Sequence, residues 1–236
     1  DESAILDADG LANDDEVPLD LLAPRLPGAR VVHGRDGLPE FGSFDGLVVL
    51  GGRMSVEDHD EAPWLPALGR LMTDCASAGV PVLAICLGAQ LLAVAAGGKV
   101  EVGAWAGPER GVISVDLRPG AAHDPTLGRV HAAFGGSFAA PSMHGDAVSE
   151  LPPHAEWLAS SARYPFHAFR VGSALAVQFH PEAGEATMCD WTTGHGEPTD
   201  ALREELRRHA EPLARLAELI AEGFLAEIAA AGRQPR

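Results

Sequence analysis

Short runs of β-branched residues alternate with apolar helical patterns in the early part of the chain. ARVVH (29–33) and GLVVLGG (46–52) are closed by turn residues, as buried strands of parallel sheets are. A helix ending at Gly79 is predicted next, with apolar positions at Trp64, Leu65, Leu68, Leu71 and Met72. A strand over 81–86 then leads into a helix over 87–97. This alternation predicts an α/β fold: a doubly wound, mostly parallel sheet with helices on both faces.

The later part of the chain predicts a series of short strands with glycine and proline between them. These strands are expected within KVEVGAW (99–105), GVISVDL (111–117), SFAAPSMHGDAV (137–148), AEWLAS (155–160), FHAFRVG (166–172) and ALAVQFH (174–180).

Residues 200–230 form the clearest helical pattern. Polar residues fall on one side (Glu204, Arg207 and Arg208), and apolar ones on the other (Leu202, Leu206, Leu213, Leu216, Ile220 and Leu225). Pro212 lacks a backbone N–H group, so it is expected to break or restart this helix.

The acidic start of the chain, DESAILDADGLANDDE, has few apolar residues to bury. We therefore expect residues 1–17 to be loop or frayed, apart from AIL. No internal repeat and no linker divides the chain, so residues 1–236 are expected to form a single domain with C-terminal helices over 196–236.

Charge and composition exclude several functions. Lys and Arg number 17 against 34 Asp and Glu, for a formal net charge of −17 at pH 7. A nucleic-acid interface needs a basic patch, so no nucleic-acid partner is expected. No apolar stretch approaches the ~20 residues of a membrane span, and no membrane partner is expected. The start at Asp1 shows no apolar leader, so no signal peptide is expected.

Cysteine and histidine spacing indicates neither a metal site nor a disulfide framework. Cys75, Cys86 and Cys189 are scattered along the chain, and the 10 histidines form no close Cys/His ligand pattern. We therefore expect a protein of the reducing cytoplasm with no metal ion.

Cys86 lies where an apolar strand meets a helix, within PVLAICLGAQLL (81–92). Cys-x-Gly at such a junction is the cysteine version of a nucleophile elbow, and Gly88 allows the close backbone approach it needs. The N-terminus of the following helix favours thiolate over thiol, and its N–H groups can hold an oxyanion. The alternative is a small cysteine buried in the core, and these observations leave both open.

Two further segments suggest chemistry. In LAVQFHPEAG (175–184), His180 and Glu182 are two positions apart at the predicted end of a strand, so their side chains should share a face. Glu182 could then accept from one imidazole nitrogen while the other faces a nucleophile. In VVLGGRMS (48–55), two glycines follow a strand, where backbone N–H groups can face a ligand. By itself, a His-x-Glu pair is more often a surface pair, and two glycines after a strand are more often an ordinary turn.

Four segments, in this order and spacing, resemble the class I (triad) glutamine amidotransferases: LVVLGGRMS, PVLAICLGAQLLA, MHGDAVSELP and AVQFHPE. The resemblance is greatest to stand-alone members related to the glutaminase part of GMP synthase, and runs from about residue 18 to about residue 192. Cys-x-Gly-x-Gln together with Gln-Phe-His-Pro-Glu is highly specific. The resemblance implies a flavodoxin-like glutamine amidotransferase fold.

The resemblance also implies a role for three side chains. Cys86 would attack the side-chain amide carbon of L-glutamine and form a γ-glutamyl thioester. His180 would accept the thiol proton, return it to the departing ammonia, and then activate the water that releases glutamate. Glu182 would orient His180 and stabilise its charged form. No metal or organic cofactor is implied.

Backbone groups around these side chains receive roles from the resemblance as well. The N–H groups of Gly52 and Leu87 would form the oxyanion hole. Substrate contacts would come from Gly51, Gln90, Met143, His144 and Gly145.

The chain departs from the family pattern near the site. Ala84 stands where the family usually has glycine, and Arg53 where proline is common. Glu109 and Gly111 keep part of a pattern usually written Glu-Ile-Gly-Trp, without its tryptophan. The N-terminal region lacks the family's long apolar first strand.

No ATP-binding loop of the Gly-x-x-x-x-Gly-Lys type occurs in the sequence. The ammonia is therefore expected to pass to a separate synthetase or acceptor subunit. Two alternatives stay open: a γ-glutamyl hydrolase acting on a γ-glutamyl amide or peptide, and an inactive regulatory or binding module of the same fold. A serine-hydrolase-like enzyme is disfavoured, because its chain order is nucleophile, acid, histidine.

Overall fold

A large mixed sheet with helices on both faces organises the computed structural model, which describes residues 3–7, 21–26 and 28–232. The strands are β1 (Ser3–Asp7), β2 (Arg30–His33), β3 (Gly46–Val49), β4 (Val82–Ile85), β5 (Lys99–Glu101), β6 (Glu109–Leu117), β7 (Ser137–His144), β8 (Ala147–Glu150), β9 (Glu156–Ser161), β10 (Ala168–Val171) and β11 (Ala174–Val177). The helices are α1 (Leu65–Ala78), α2 (Leu87–Ala95), α3 (Leu127–Phe134), α4 (Glu185–Gly194), α5 (Asp200–Arg208) and α6 (Ala210–Ala231).

The strand order of this sheet is β2-β1-β3-β4-β11-β10-β9-β6-β7, and β5 pairs with β8 in a separate two-stranded sheet. Pairing is parallel from β2 through to β11 and antiparallel from β11 through to β7. The doubly wound α/β fold expected from the sequence is confirmed, and its parallel half presents the carboxyl ends of β3, β4 and β11 at one edge.

The central strands bury both faces because successive side chains point to opposite sides of the sheet. On one side, Val48, Leu83 and Ile85 pack in a cluster that includes residues of α3 and α6. On the other side, Leu47 and Val82 pack in a cluster with residues of α1 and α2. This two-sided burial explains why these strands have continuous apolar runs rather than alternating ones.

The predicted end of a helix at Gly79 and the predicted restart of a helix near Pro212 are confirmed. Gly79 follows α1 with φ of 79°, in the left-handed region that glycine enters without strain. The helical stretch over 200–230 is divided at His209, between α5 and α6. Pro212 is the third residue of α6, in the first turn, where its missing N–H group costs no helical hydrogen bond.

Part of the acidic N-terminal stretch is a strand. Ser3–Asp7 forms β1, which includes AIL and pairs in parallel with β2 on one side and β3 on the other. A strand of five residues thus takes the place of the longer apolar one the family resemblance implies. The rest of the loop expected over residues 1–17 lies outside the described residues.

Among the described residues, no helix has both the length and the apolar composition needed to cross a membrane.

Candidate active site

Cys86 occupies a strained turn between β4 and α2. Its φ of 50° and ψ of −107° are unusual, and among the described residues His154 is the one other non-glycine residue with positive φ. The Cys86 N–H group donates to the Val177 carbonyl at 2.8 Å, which ties the turn to β11. A Cβ atom on Gly88 would lie 2.5 Å from the Val49 carbonyl oxygen, so glycine is required there. The elbow geometry predicted from the sequence is therefore present.

His180 and Glu182 form a buried pair. Nδ1 of His180 lies 2.7 Å from Oε1 of Glu182, and the two residues are 3% and 2% exposed. The period-two reasoning behind this pair is wrong, because β11 ends at Val177 and both residues lie in the following loop. Instead, the His180 N–H group donates to the Pro141 carbonyl at 2.8 Å, which fixes the loop against β7.

The thiol of Cys86 and the imidazole of His180 border the same glycine. A Cβ atom on Gly51 would lie 3.0 Å from His180 Cε1, 3.3 Å from Cys86 Cβ and 3.8 Å from Cys86 Sγ. A side chain at position 51 would therefore crowd the imidazole ring. The ring of Trp191 packs edge-on against the imidazole of His180, with centroids 4.8 Å apart. The structure thus brings Cys86 and His180 together across Gly51.

Electrostatics favour a charged His180. Burial by itself lowers the pKa of His180, but the charges of Glu182 and Cys86 outweigh it and raise this pKa well above its ordinary 6.5. Because Nδ1 donates to Glu182, Nε2 is the nitrogen free for proton transfer, and it has no hydrogen-bond partner among the described residues. An imidazolium here is a suitable counter-ion for a thiolate.

Gln178, which the sequence analysis assigned no role, contacts the sulfur atom directly. Its Nε2 lies 3.5 Å from Cys86 Sγ, and its Oε1 accepts from Gln90 Nε2 at 3.2 Å. Gln90 Nε2 also donates to the Asp146 carbonyl at 2.9 Å. Because a carbonyl can only accept, this chain of contacts orients both amides and turns an N–H group of Gln178 toward the sulfur. Gln178 lies two residues before His180 in the AVQFHPE segment, and this position could have indicated a role at the site.

The remaining expected site residues lie around this centre. The Met143 carbonyl is 3.9 Å from Cys86 Sγ, and Gly145, two residues further on, is exposed. Gly52 follows Gly51 after β3, and Leu87 is the first residue of α2. Gln90 was expected to contact substrate, but its side-chain NH₂ group donates to Gln178 and to the Asp146 carbonyl.

His144 points away from Cys86, into a buried cluster with Glu109 and His167. Oε2 of Glu109 lies 2.7 Å from His167 Nε2 and 3.3 Å from His144 Nε2, and Ser161 donates to Oε1 at 2.9 Å. Burial raises the pKa of Glu109, but hydrogen bonds from the two histidines outweigh this and hold that pKa below its usual range. These three ligand groups lie within 4.8 Å of one another and could hold a metal ion.

The sequence analysis missed this cluster because its members are far apart in the chain. Glu109 is 35 positions from His144 and 58 from His167. The pairing of β6 with β7 places Glu109 opposite His144. The sequence contains only part of the information needed to predict the cluster. Glu109 belongs to a pattern of the family, whereas His167 belongs to no recognised motif.

Comparison with known proteins identifies related sequences. The sequence model of the family "Glutamine amidotransferase class-I" matches residues 33–188. A GMP synthase [glutamine-hydrolyzing] of Thermomicrobium roseum is 34% identical over 143 residues, which cover 61% of this chain and 24% of that protein. One of Cupriavidus pinatubonensis is 33% identical over 180 residues, covering 69% of this chain and 30% of that protein. The chain thus spans about a quarter to a third of these relatives.

Solved structures of similar fold cover nearly the whole chain. A glutamine amidotransferase from Thermotoga maritima superposes with a TM-score of 0.77 at 22% identity, covering 96% of this chain and 97% of that one. A glutamine amido transferase from Methylobacillus flagellatus gives a TM-score of 0.77 at 24% identity, covering 95% and 94%. At these identities the likeness establishes the fold.

Proposed function

The chain belongs to the class-I glutamine amidotransferase family, and from this premise we propose that it hydrolyses L-glutamine to glutamate and ammonia through a γ-glutamyl thioester on Cys86. One observation supports this most strongly. A cysteine on a strained strand-to-helix turn shares the border of Gly51 with a buried histidine, and that histidine is held by a carboxylate. Nucleophile, base and orienting group are the parts that covalent catalysis of amide hydrolysis requires.

In the first half of the reaction, transfer of the Cys86 proton to Nε2 of His180 gives a thiolate–imidazolium pair. The Cys86 thiolate then attacks the side-chain amide carbon of glutamine. The tetrahedral intermediate collapses when His180 gives that proton to the leaving nitrogen, so ammonia departs and the thioester remains. In the second half, His180 takes a proton from water, the hydroxide attacks the thioester carbon, and Cys86 leaves as the thiol with that proton. Glu182 keeps Nε2 directed at the sulfur throughout.

The developing oxyanion needs fixed N–H donors. We assign this role to the backbone N–H groups of Gly52 and Leu87. Support comes from Leu87 being the first residue of α2, because the first N–H groups of a helix have no partner within it. Gly52 follows Gly51, which faces the thiol. The amide of Gln178 adds a hydrogen bond to the sulfur, which favours the thiolate.

Substrate contacts are assigned to Gly51, Gln90 and the segment 143–145, in which the main chain around Met143 and Gly145 would hold the amino-acid end of glutamine. The Met143 carbonyl faces the sulfur, and Gly145 is exposed beside it, so a substrate bound to the thiol would lie along this segment. The His144 side chain anchors the segment from behind through Glu109.

Ammonia is useful when another catalyst consumes it, so we propose that a synthetase or acceptor subunit takes it up. Support comes from the GMP synthase relatives, of which the chain spans the smaller part. Unregulated hydrolysis would waste glutamine. The oxyanion hole depends on Gly52, in a glycine loop whose shape a bound partner can reset, and losing one donor costs about 10²–10³ in rate.

The isolated chain is therefore expected to release ammonia slowly from L-glutamine and faster when a synthetase partner is added. The measurement is ammonia release from L-glutamine and from γ-glutamyl amides, with and without candidate synthetase subunits. If the lone chain turns over L-glutamine at about 10 s⁻¹ and no partner raises this rate, partner control is wrong. If γ-glutamyl amides are cleaved and L-glutamine is not, the chain is a γ-glutamyl hydrolase. No turnover under any condition would indicate an inactive binding module.

A further inference from the structure

We propose that Glu109, His144 and His167 bind one divalent metal ion of the zinc class, which braces the wall of the active site behind Met143. Two imidazoles and one carboxylate are a donor set that zinc accepts in proteins. The site is separate from the Cys86–His180–Glu182 group, and its binding of metal does not depend on the proposed reaction.

The three donors already lie close to the required geometry. Glu109 Oε2 is 3.3 Å from His144 Nε2 and 2.7 Å from His167 Nε2, and the three donor atoms all lie within 4.8 Å of one another. Tetrahedral zinc with bonds of about 2.0–2.1 Å holds neighbouring donors about 3.4 Å apart. The His144–Glu109 pair matches this spacing, and the His167–Glu109 pair is closer, so binding would require side-chain movement.

The hydrogen-bond arrangement makes Nε2 the ligand atom of His144. Nδ1 of His144 lies 2.9 Å from the Asp146 carbonyl, which can only accept, so Nδ1 carries the proton. In neutral His144, Nε2 then presents a lone pair toward the Glu109 carboxylate. The two atoms are 3.3 Å apart, and a metal ion between them would take the place of a proton in this contact.

The surroundings of His144 and Glu109 have the form expected around bound metal, whereas Nδ1 of His167 has no hydrogen-bond partner among the described residues. Ligating histidines usually donate their second N–H group to a carbonyl or carboxylate, as His144 does to Asp146. Ser161 donates to Oε1 of Glu109, which leaves Oε2 for the ion. All three ligand residues are buried, so an ion would be held out of bulk water.

A surface groove borders Glu109. The groove has a volume of about 370 Å³ and is lined by Glu109 together with Pro108, Arg110 and Arg163.

The donors connect to both sides of the catalytic sulfur. His144 follows Met143, whose carbonyl faces Cys86 Sγ, and the His167 carbonyl accepts from the Gln178 N–H group at 2.8 Å. Gln178 in turn contacts the sulfur. A bound ion would therefore fix two elements of the wall with respect to each other.

The test is titration of the metal-stripped full chain with cobalt(II), whose visible absorption reports four-coordinate nitrogen and oxygen ligation. The Cys86→Ser background removes the competing thiolate–histidine site at Cys86 and His180. We expect one equivalent of cobalt to bind with visible bands, zinc(II) to displace it, and the melting temperature to rise. Glu109→Gln and His167→Gln should each abolish the bands, and His131→Gln, on α3, should retain them.

Absence of cobalt binding in the Cys86→Ser protein would overturn the proposal and leave a proton between His144 and Glu109. Bands that survive both Glu109→Gln and His167→Gln would overturn it as well, since the ion would then lie elsewhere. His167→Gln keeps an amide that can donate to Glu109, so it serves as the folded comparison if Glu109→Gln does not fold. Circular dichroism identifies the folded variants.

Discussion

Replacing Cys86 with serine is expected to lower the rate of glutamine hydrolysis by at least about 10⁴-fold. Losses of this size are typical when an enzyme loses a nucleophile that works together with a general base. A serine hydroxyl lacks thiolate character and cannot form the ion pair that the raised His180 pKa favours. The substitution is nearly isosteric, so the fold should remain. Ammonia release under saturating L-glutamine, with circular dichroism as the folding check, measures the effect.

The chain offers a matched control for this variant. Cys189 is buried and free, as Cys86 is, and it packs in a cluster with Met188. Cys189→Ala should keep the wild-type rate. Cys75 differs chemically, because burial and the charge of Asp74 raise its pKa to about 12 and keep it a thiol. Wild-type activity in Cys86→Ser would remove Cys86 from the mechanism.

Replacing Glu182 with glutamine is expected to lower kcat/KM by about 10²–10⁴-fold, as neutralising the orienting carboxylate does in comparable triads. The Glu182 charge raises the pKa of His180, so its removal lowers this pKa. In the wild type the imidazolium persists well above pH 6.5, and activity falls on the alkaline side when that proton is lost. In the variant this alkaline limb should move to lower pH.

The pH dependence of kcat/KM for both proteins measures this shift. Glu185→Gln is the matched control, because Glu185 lies three residues further on and pairs with Arg203 and Arg207 rather than with a histidine. Its profile should follow the wild type. An unchanged alkaline limb in Glu182→Gln would show that Glu182 does not set the protonation of His180.

Local features of the site could be predicted because they depend on neighbouring residues. The apolar run to Ile85 followed by Cys-x-Gly specifies a strand, a turn and a helix, and Gly88 meets the Val49 carbonyl as the elbow requires. Gly79 likewise marks the end of α1. In each case the interaction that determines the local structure lies within one turn or between adjacent elements.

Features that depend on distant pairing could not be predicted in the same way. His180 follows β11, but it is held by the Pro141 carbonyl of β7. Three strands separate β7 from β11 in the sheet order. The Glu109 cluster likewise needs β6, β7 and the residue before β10 to meet. Element patterns define helices and strands but not which antiparallel strands become neighbours, so these contacts required the fold.

The central claim is that Cys86 is a nucleophile specific for glutamine, and modification by a diazo-ketone analogue of glutamine tests it most directly. Peptide mass spectrometry of the treated full chain locates the adduct among its 3 cysteines. The mechanism predicts modification of Cys86 alone, slowed by added L-glutamine. Modification mainly of Cys75 or Cys189, or modification of Cys86 that L-glutamine does not slow, would contradict it.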